Sequence, residues 1–324
     1  MTTLRGIALA AALVAASGVP SDAQVAFLAP IDCDLGSTCF IQNYVDRDEG
    51  PSFKDFTCGP LGYDGHKGTD FALPDLAMME KGVAVLAPAA GKVTGTRDGM
   101  TDIAIDMPGA PPLEGRDCGN GIGIDHGNGW TSQLCHMRQG SVAVSTGDLV
   151  TAGQPLGLVG LSGNTQFPHV HITVWKDNTV VDPFHPAPVT SCGQTPQGSL
   201  WSPPLAYVPG GVTALGITDT SPDFRTVQAG LPTPETIPAS APALIVWALF
   251  FGTRQGDEIT LNLMGPGGAI ADQTIAVDRT QARSFRFSGR KAREPWAAGD
   301  YRAEVSLRRG GLVVDSATIA TTIK

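Results

Sequence analysis

The 324-residue chain contains neither a His-Glu-x-x-His sequence nor two cysteines separated by only two residues. The first absence excludes the helical motif that places two zinc-binding histidines one turn apart. The second argues against a structural zinc knuckle. Aromatic residues make up only 6% of the chain, whereas Gly (40) and Pro (25) are abundant. Because no stretch shows sustained helical periodicity, this composition predicts short strands joined by many turns.

The chain also lacks an excess of positive charge, since its formal net charge is −9. This charge argues against a nucleic-acid partner and leaves no polybasic segment for anionic lipids. Residues 1–23 combine Arg5, a short apolar run and small residues before Gln24, which is typical of a secretory signal peptide. The run is too short to span a bilayer, and no other stretch is long enough. We therefore expect no transmembrane segment. We expect the protein to be exported to the periplasm or, as an alternative, to the extracellular space, and to be a monomer.

Six cysteines lie in the first two-thirds of the chain. They are Cys33, Cys39, Cys58, Cys118, Cys135 and Cys192. An even number of cysteines in an exported protein predicts disulfides. The sequence does not determine their connectivity. Proximity favours Cys33–Cys39, a hairpin favours Cys118–Cys135, and elimination leaves Cys58–Cys192.

The chain divides into two predicted all-β domains. Residues 24–192 contain short apolar segments broken by Gly-rich turns, including a β-hairpin candidate over 121–135, and predict an antiparallel β domain. Residues 193–210 are rich in Gly, Pro and Ser and predict a linker. Residues 211–324 alternate apolar and polar side chains, which predicts a smaller immunoglobulin-like β-sandwich. Because this segment has no His or Cys, we expect it to be a docking module or a stabilising spacer, dispensable for metal binding and for cleavage of small peptides.

Four of the six histidines have neighbours that suggest chemistry. In the strand-like FPHVHITVW, His169 and His171 share one face. His66 and Asp70 are four residues apart in GHKGTDFAL, and His136 ends the predicted hairpin. Four imidazoles and a carboxylate suit a zinc site with an open coordination position, and spare histidines could replace a missing Glu base. We interpret His126, in a turn, as structural and His185, in a Pro-bounded loop, as outside the metal site.

Taken together, these segments resemble the lysostaphin and LytM-type zinc endopeptidases over roughly residues 60–185. The matching stretches, in order, are GHKGTDFAL, VLAPAAGKVTGTRDG, GNGIGIDHGNGWTSQLCHM, VSTGDLVTAGQPLGLVGLSGN and FPHVHITVWKDNTVVDPF. The resemblance implies an antiparallel β-groove that holds one catalytic Zn²⁺ and cuts peptide cross-links of bacterial peptidoglycan. It also implies that His66, Asp70 and His171 are the zinc ligands and that His136 and His169 are catalytic.

Three features depart from that family's pattern. Phe167 stands where the family usually has Gly, and Leu134-Cys135 stand where it often has Tyr-Ala. Residues 100–119 form an insertion that we expect to make a wall of the groove. None of these departures removes a ligand or a catalytic histidine. We therefore expect an exported zinc metalloendopeptidase acting on peptidoglycan peptide stems. A secreted protease acting on proteins and a non-catalytic cell-wall regulator are the alternatives.

Overall fold

The computed structural model describes residues 25–188, residue 192 and residues 198–324. The predicted signal peptide, residues 1–23, and residues 193–197 of the predicted linker lie outside the described residues. The described chain is built almost entirely of β-strands, with two short helices. Neither helix has the length and apolar character needed to cross a membrane. The predicted all-β class, with a first β-rich unit followed by a further β unit, is confirmed.

The first β unit is an eight-stranded antiparallel sheet with a two-stranded sheet beside it. Its elements are β1 (Phe40–Asn43), β2 (Thr69–Ala72), α1 (Leu76–Lys81), β3 (Ala84–Leu86), β4 (Gly91–Arg97), β5 (Asn120–Gly127), β6 (Trp130–Met137), β7 (Leu149–Val150), β8 (Pro155–Leu158), β9 (His169–Lys176) and β10 (Thr179–Val181). The order in the large sheet is β1-β2-β9-β6-β5-β4-β7, and β10 pairs with β9. Strands β3 and β8 form the small sheet. The predicted hairpin is the β5–β6 pair.

Strand β9 has one face in the hydrophobic core of this unit and carries His169 and His171 on the other. Val170, Ile172 and Val174 are buried in the hydrophobic core, where they join residues of β5 and β6. Side chains alternate along a strand, so His169 and His171 point to the opposite face. The face that carries the histidines is therefore determined by the apolar pattern of the same strand.

All three favoured disulfide pairings are confirmed. Cys33 bonds to Cys39, Cys58 to Cys192, and Cys118 to Cys135. The second bridge joins residues 134 positions apart and so ties the segment before β2 to the segment after β10. The third joins the end of the predicted insertion to β6.

The second β unit consists of two sheets around a shared core. Its elements are β11 (Gly211–Thr218), α2 (Phe224–Gln228), β12 (Thr236–Ile237), β13 (Ala243–Thr253), β14 (Glu258–Gly265), β15 (Gly268–Ala276), β16 (Gln281–Lys291), β17 (Gly299–Arg309) and β18 (Leu312–Ile323). One sheet has the order β11-β13-β16 and the other β12-β18-β17-β14-β15. Val246 of β13 and Leu261 of β14 belong to one core cluster, which places the two sheets face to face.

Strand β13 is buried along its whole length. Alternate residues of β13 fill the core between the two sheets. On its other face, Trp247 and Leu249 pack with Val227 of α2, and Phe251 packs against Phe40 and Ala72 of the first unit. The two β units therefore share an apolar contact beside β2. Neither this contact nor the two helices were predicted from the sequence. The helices begin at N-cap aspartates, Asp75 and Asp223.

Candidate metal and acid–base site

The structure brings together all five residues that the resemblance implicated. Asp70 on β2 lies directly opposite His171 on β9 in the antiparallel register, and Ala72 lies opposite His169. His66 reaches the same point from the loop before β2, and His136 from the end of β6. The side chains of the cluster are buried, apart from a partly exposed His171.

Three of these residues form a compact donor set. Oδ1 of Asp70 is 3.2 Å from Nε2 of His66 and 2.8 Å from Nδ1 of His171, and the two nitrogens are 3.1 Å apart. Tetrahedral zinc with ligand distances of about 2.0–2.1 Å separates its ligand atoms by about 3.3 Å. The three atoms therefore have the spacing and the chemistry of a zinc-binding triad with room for a fourth ligand.

Neighbouring groups orient each member of this triad. The Nδ1–H of His66 donates to the carbonyl of Tyr44 at 2.7 Å, because a carbonyl can only accept. Nε2 of His66 is consequently the ring nitrogen that faces the carboxylate of Asp70. The side-chain amide of Asn43 donates to Oδ2 of Asp70 at 2.8 Å, and Thr173 Oγ1 lies 2.9 Å from Nε2 of His171. Such outer contacts set the tautomer and orientation of metal ligands.

His169 and His136 flank the triad, and their ring centroids are 4.6 Å apart. Nδ1–H of His136 donates to the carbonyl of Ser162 at 2.8 Å, and Nδ1–H of His169 donates to the carbonyl of Phe167 at 3.0 Å. Nε2 of His169 lies 3.4 Å from Oδ1 of Asp70. Both rings are thus anchored through Nδ1, and each keeps Nε2 as its second nitrogen for chemistry.

The backbone of His136 is in the left-handed region, with φ of 62°. A residue with a Cβ adopts this conformation only where the surroundings hold it there. Its amide donates to the carbonyl of Cys118 at 2.8 Å, and its carbonyl accepts from the amide of Gly160 at 3.0 Å. The disulfide between Cys118 and Cys135 fixes the residue before it. These contacts turn His136 out of the regular strand and towards the cluster.

The residues of the cluster differ in the direction in which their pKa values are shifted. Burial raises the pKa of Asp70, but the adjacent imidazoles of His66 and His169 outweigh burial and hold this pKa well below its usual range. Burial lowers the pKa of His66, but the Asp70 carboxylate outweighs it and leaves this pKa raised. Burial keeps the pKa of His136 well below its ordinary value, so its imidazole is neutral at physiological pH.

The two remaining histidines are bonded elsewhere. His126 contacts the carbonyl of Ala90 at 2.9 Å and the hydroxyl of Ser132 at 2.8 Å through its two ring nitrogens. This is the structural role expected for it. His185 Nδ1 donates to the carbonyl of Ala187 at 3.0 Å. It lies outside the donor triad.

The insertion over residues 100–119 runs alongside the loop that leads to His169. The amide of Leu161 donates to the carboxylate of Asp102, and the amide of Ile105 donates to the carbonyl of Thr165 at 2.9 Å. The sequence did not identify these contacts, nor Asn43, Tyr44 and Thr173 around the ligands. No short-range spacing marks them, because each acts across a tertiary contact.

An antiparallel β-sheet with a His-Asp-His donor set and two anchored imidazoles beside it has the composition of a metal-dependent hydrolase site. Residues 64–183 match the model of peptidase family M23. The resemblance to lysostaphin and LytM-type enzymes is therefore confirmed for this part of the chain.

Several solved structures are also similar to the chain. The catalytic domain of the prophage-encoded M23 protein EnpA from Enterococcus faecalis is 24% identical over 46% of this chain and 92% of its own, with a TM-score of 0.32. The catalytic domain of lysostaphin from Staphylococcus simulans is 27% identical over 39% of this chain and 82% of its own, with a TM-score of 0.27. A putative M23 peptidase from Pseudomonas aeruginosa is 30% identical over 44% of this chain, with a TM-score of 0.28. The match spans about half of that enzyme, 52% of its length.

Proposed function

We propose that this chain is an exported zinc metalloendopeptidase that hydrolyses peptide cross-links of bacterial peptidoglycan. The observation that carries the proposal is the convergence of His66 Nε2, Asp70 Oδ1 and His171 Nδ1 on one point, beside two further anchored imidazoles. His66, Asp70 and His171 would hold the metal. A bound zinc ion would supply a Lewis acid and lower the pKa of an attacking water.

His136 and His169 are the acid–base pair in this proposal. Because each donates its Nδ1–H to a backbone carbonyl, each offers Nε2 to take a proton from water or return one to the leaving amine. The protonated ring can also stabilise negative charge as the scissile carbonyl becomes tetrahedral. This pair takes the place of the Glu base that a His-Glu-x-x-His motif, absent from this sequence, would supply.

The match of residues 64–183 to the model of peptidase family M23 supports the peptidase activity. The peptide stems of peptidoglycan as substrate follow from the resemblance to lysostaphin and LytM-type enzymes. Three disulfides are typical of an oxidising compartment and support export, with the periplasm favoured over the extracellular space. The assignment of residues 24–192 and 211–324 to two domains belongs to the same proposal, as does the monomeric state.

The test is a panel of alanine variants assayed for zinc content and for release of peptides from isolated sacculi. His66→Ala, Asp70→Ala and His171→Ala should lose zinc and activity together, because two protein ligands hold a catalytic zinc poorly. His136→Ala and His169→Ala should keep near-stoichiometric zinc and lose about a hundredfold or more in rate. His126→Ala is the matched control, since this half-buried imidazole is bonded only to structural groups.

The same panel separates the alternatives. Cleavage of casein or elastin with intact sacculi would favour a protease acting on proteins. Zinc binding without hydrolysis of either substrate would favour a non-catalytic regulator. Zinc loss in His169→Ala with zinc retained in His171→Ala would reverse the two roles, and full activity in both His136→Ala and His169→Ala would refute the mechanism.

A further inference from the structure

Phe167 connects the proposed acid–base histidine to the second β unit. Its ring stacks on the imidazole of His169, with centroids 4.4 Å apart and planes 23° apart. It also packs against the apolar cluster of Phe40, Ala72 and Phe251, the last of which belongs to β13. Its carbonyl accepts the Nδ1–H of His169. Phe167 thus contacts the His169 imidazole twice, through its stacked ring and through its backbone carbonyl.

Arg283 of β16 holds this aromatic ring from the side of the second unit. Its guanidinium lies 5.5 Å from the centroid of the Phe167 ring. Its Nη2 donates to the carbonyl of Pro74 at 2.7 Å, just after β2. A planar guanidinium that stacks on a ring while donating a hydrogen bond is a rigid support. Gln228 of α2 adds a hydrogen bond to the carbonyl of Gln166 at 3.1 Å.

All of these contacts converge on the short segment before β9. Ala72 pairs with His169 across the sheet, and the amide of Leu73 donates to the carbonyl of Pro168 at 2.9 Å. The second unit therefore contacts the end of β2 and the segment just before β9, where His169 is held. The three ligand atoms lie beyond this contact and are oriented by Tyr44, Asn43 and Thr173 instead.

We infer that the second β unit acts in the hydrolytic reaction by positioning His169, with Phe167 and Arg283 as the positioning residues. This inference rests on the proposed function, in which His169 exchanges protons with water and substrate. It departs from the sequence-based expectation that residues 211–324 are dispensable for cleavage of small peptides. It also accounts for Phe at a position where the resembling family usually has Gly, because a Gly has no ring to connect the two units.

The experiment compares full-length variants for zinc content, kcat and KM on a soluble peptide substrate cut by the wild-type enzyme. Phe167→Leu keeps an apolar side chain against the cluster of Phe40, Ala72 and Phe251 but removes the ring that stacks on His169. Arg283→Met keeps a long side chain and removes the guanidinium. Each should keep zinc and KM within about twofold and lower kcat about tenfold or more, since small misplacements of a catalytic group are costly.

Two variants act as matched controls. Arg290→Met alters a second arginine of β16 that also lies over an aromatic ring, 5.4 Å from the centroid of Trp296 and away from the cluster. It should leave kcat unchanged. Phe167→Tyr keeps the stacked ring and should restore most of the kcat that Phe167→Leu loses.

The outcomes distinguish this inference from the function beneath it. Wild-type kcat in both Phe167→Leu and Arg283→Met, with His169→Ala inactive, would overturn the positioning role alone. An equal loss in Arg290→Met would also overturn it, because destabilisation of the second unit would then explain the effect. Failure of the wild-type protein to cut any peptide, or full activity of His169→Ala, would instead overturn the proposed function.

Discussion

Asp182 is a buried carboxyl group whose ionisation should weaken the fold as pH rises. The residue is 1% exposed and follows β10. Its Oδ1 accepts from the amide of Phe184 at 2.9 Å, whereas Oδ2 has no hydrogen-bond partner within the part of the chain that the structure describes. Burial raises the pKa of Asp182 to about 7.

The sign and size of the effect follow from this pKa. An unfolded Asp titrates near a pKa of about 3.9, so between about pH 4 and 7 the folded state binds more protons than the unfolded state. The contribution of the protonated group to stability is complete below the unfolded pKa and is lost as pH rises through the folded pKa. Between about pH 5 and about pH 8, Asp182 should lower the free energy of unfolding by about 2.5 kcal/mol.

Asp182→Asn tests this value because the amide cannot ionise and its oxygen can still accept from Phe184. Urea unfolding of both proteins, with equal metal load and intact disulfides, should show the variant gaining about 2.5 kcal/mol on the wild type between about pH 5 and about pH 8. Asp125→Asn is the control, since Asp125 is exposed and accepts from the amide of Gly127 in the same local pattern. A wild-type pH profile parallel to that of Asp182→Asn would refute the reasoning.

Two further substitutions test how the site is built. Gly68→Ala would place a Cβ against the carbonyl of Ile172 and 2.5 Å from Nε2 of His171. Because this clash would displace a ligand, zinc affinity should fall about tenfold or more. Gly95→Ala is the control, since its Cβ enters open space and should leave zinc affinity unchanged. Competition with a zinc chelator measures both, and equal affinities would contradict the steric account. Replacing Cys118 and Cys135 with Ser should keep zinc but lower kcat about tenfold, because His136 loses the bridge beside its left-handed backbone. Replacing Cys33 and Cys39 is the control, and an equal loss of kcat there would dissociate the effect from His136.

Local patterns in the sequence predicted the β-hairpin and strand β9 of the first unit and singled out the five residues that converge at its site. Alternation in β9 separated His169 and His171 from the core residues between them, and the turn over residues 127–129 predicted the β5–β6 hairpin. Proximity, the hairpin and elimination favoured the three disulfide pairings that the structure shows. These features succeed because each depends on a short period or on a small number of possible partners.

The contacts that support the site could not be predicted in the same way. Asn43 and Tyr44 lie more than twenty residues before the ligand that each contacts, and Arg283 lies 209 residues after Pro74. Only the fold brings such pairs together. One signal was present, since ALIVWALFF in β13 is a continuous apolar run, typical of a strand that is buried on both faces. The uncovered second face of a sandwich strand would have predicted a contact with another part of the chain.

The departures from the lysostaphin and LytM-type pattern lie on the side of His136 and His169 and leave the ligand triad unchanged. Cys135 precedes His136 and bonds to Cys118 in the insertion, and Phe167 precedes His169 by two residues and contacts the second unit. A metal ligand is held by its bond to the metal as well as by its neighbours, whereas an acid–base imidazole depends on its neighbours alone. Support from a disulfide, an insertion and a second β unit should therefore affect kcat more than zinc affinity. Variants on the side of the ligand triad are therefore expected to lose zinc, whereas variants on the side of His136 and His169 are expected to keep zinc and lose kcat.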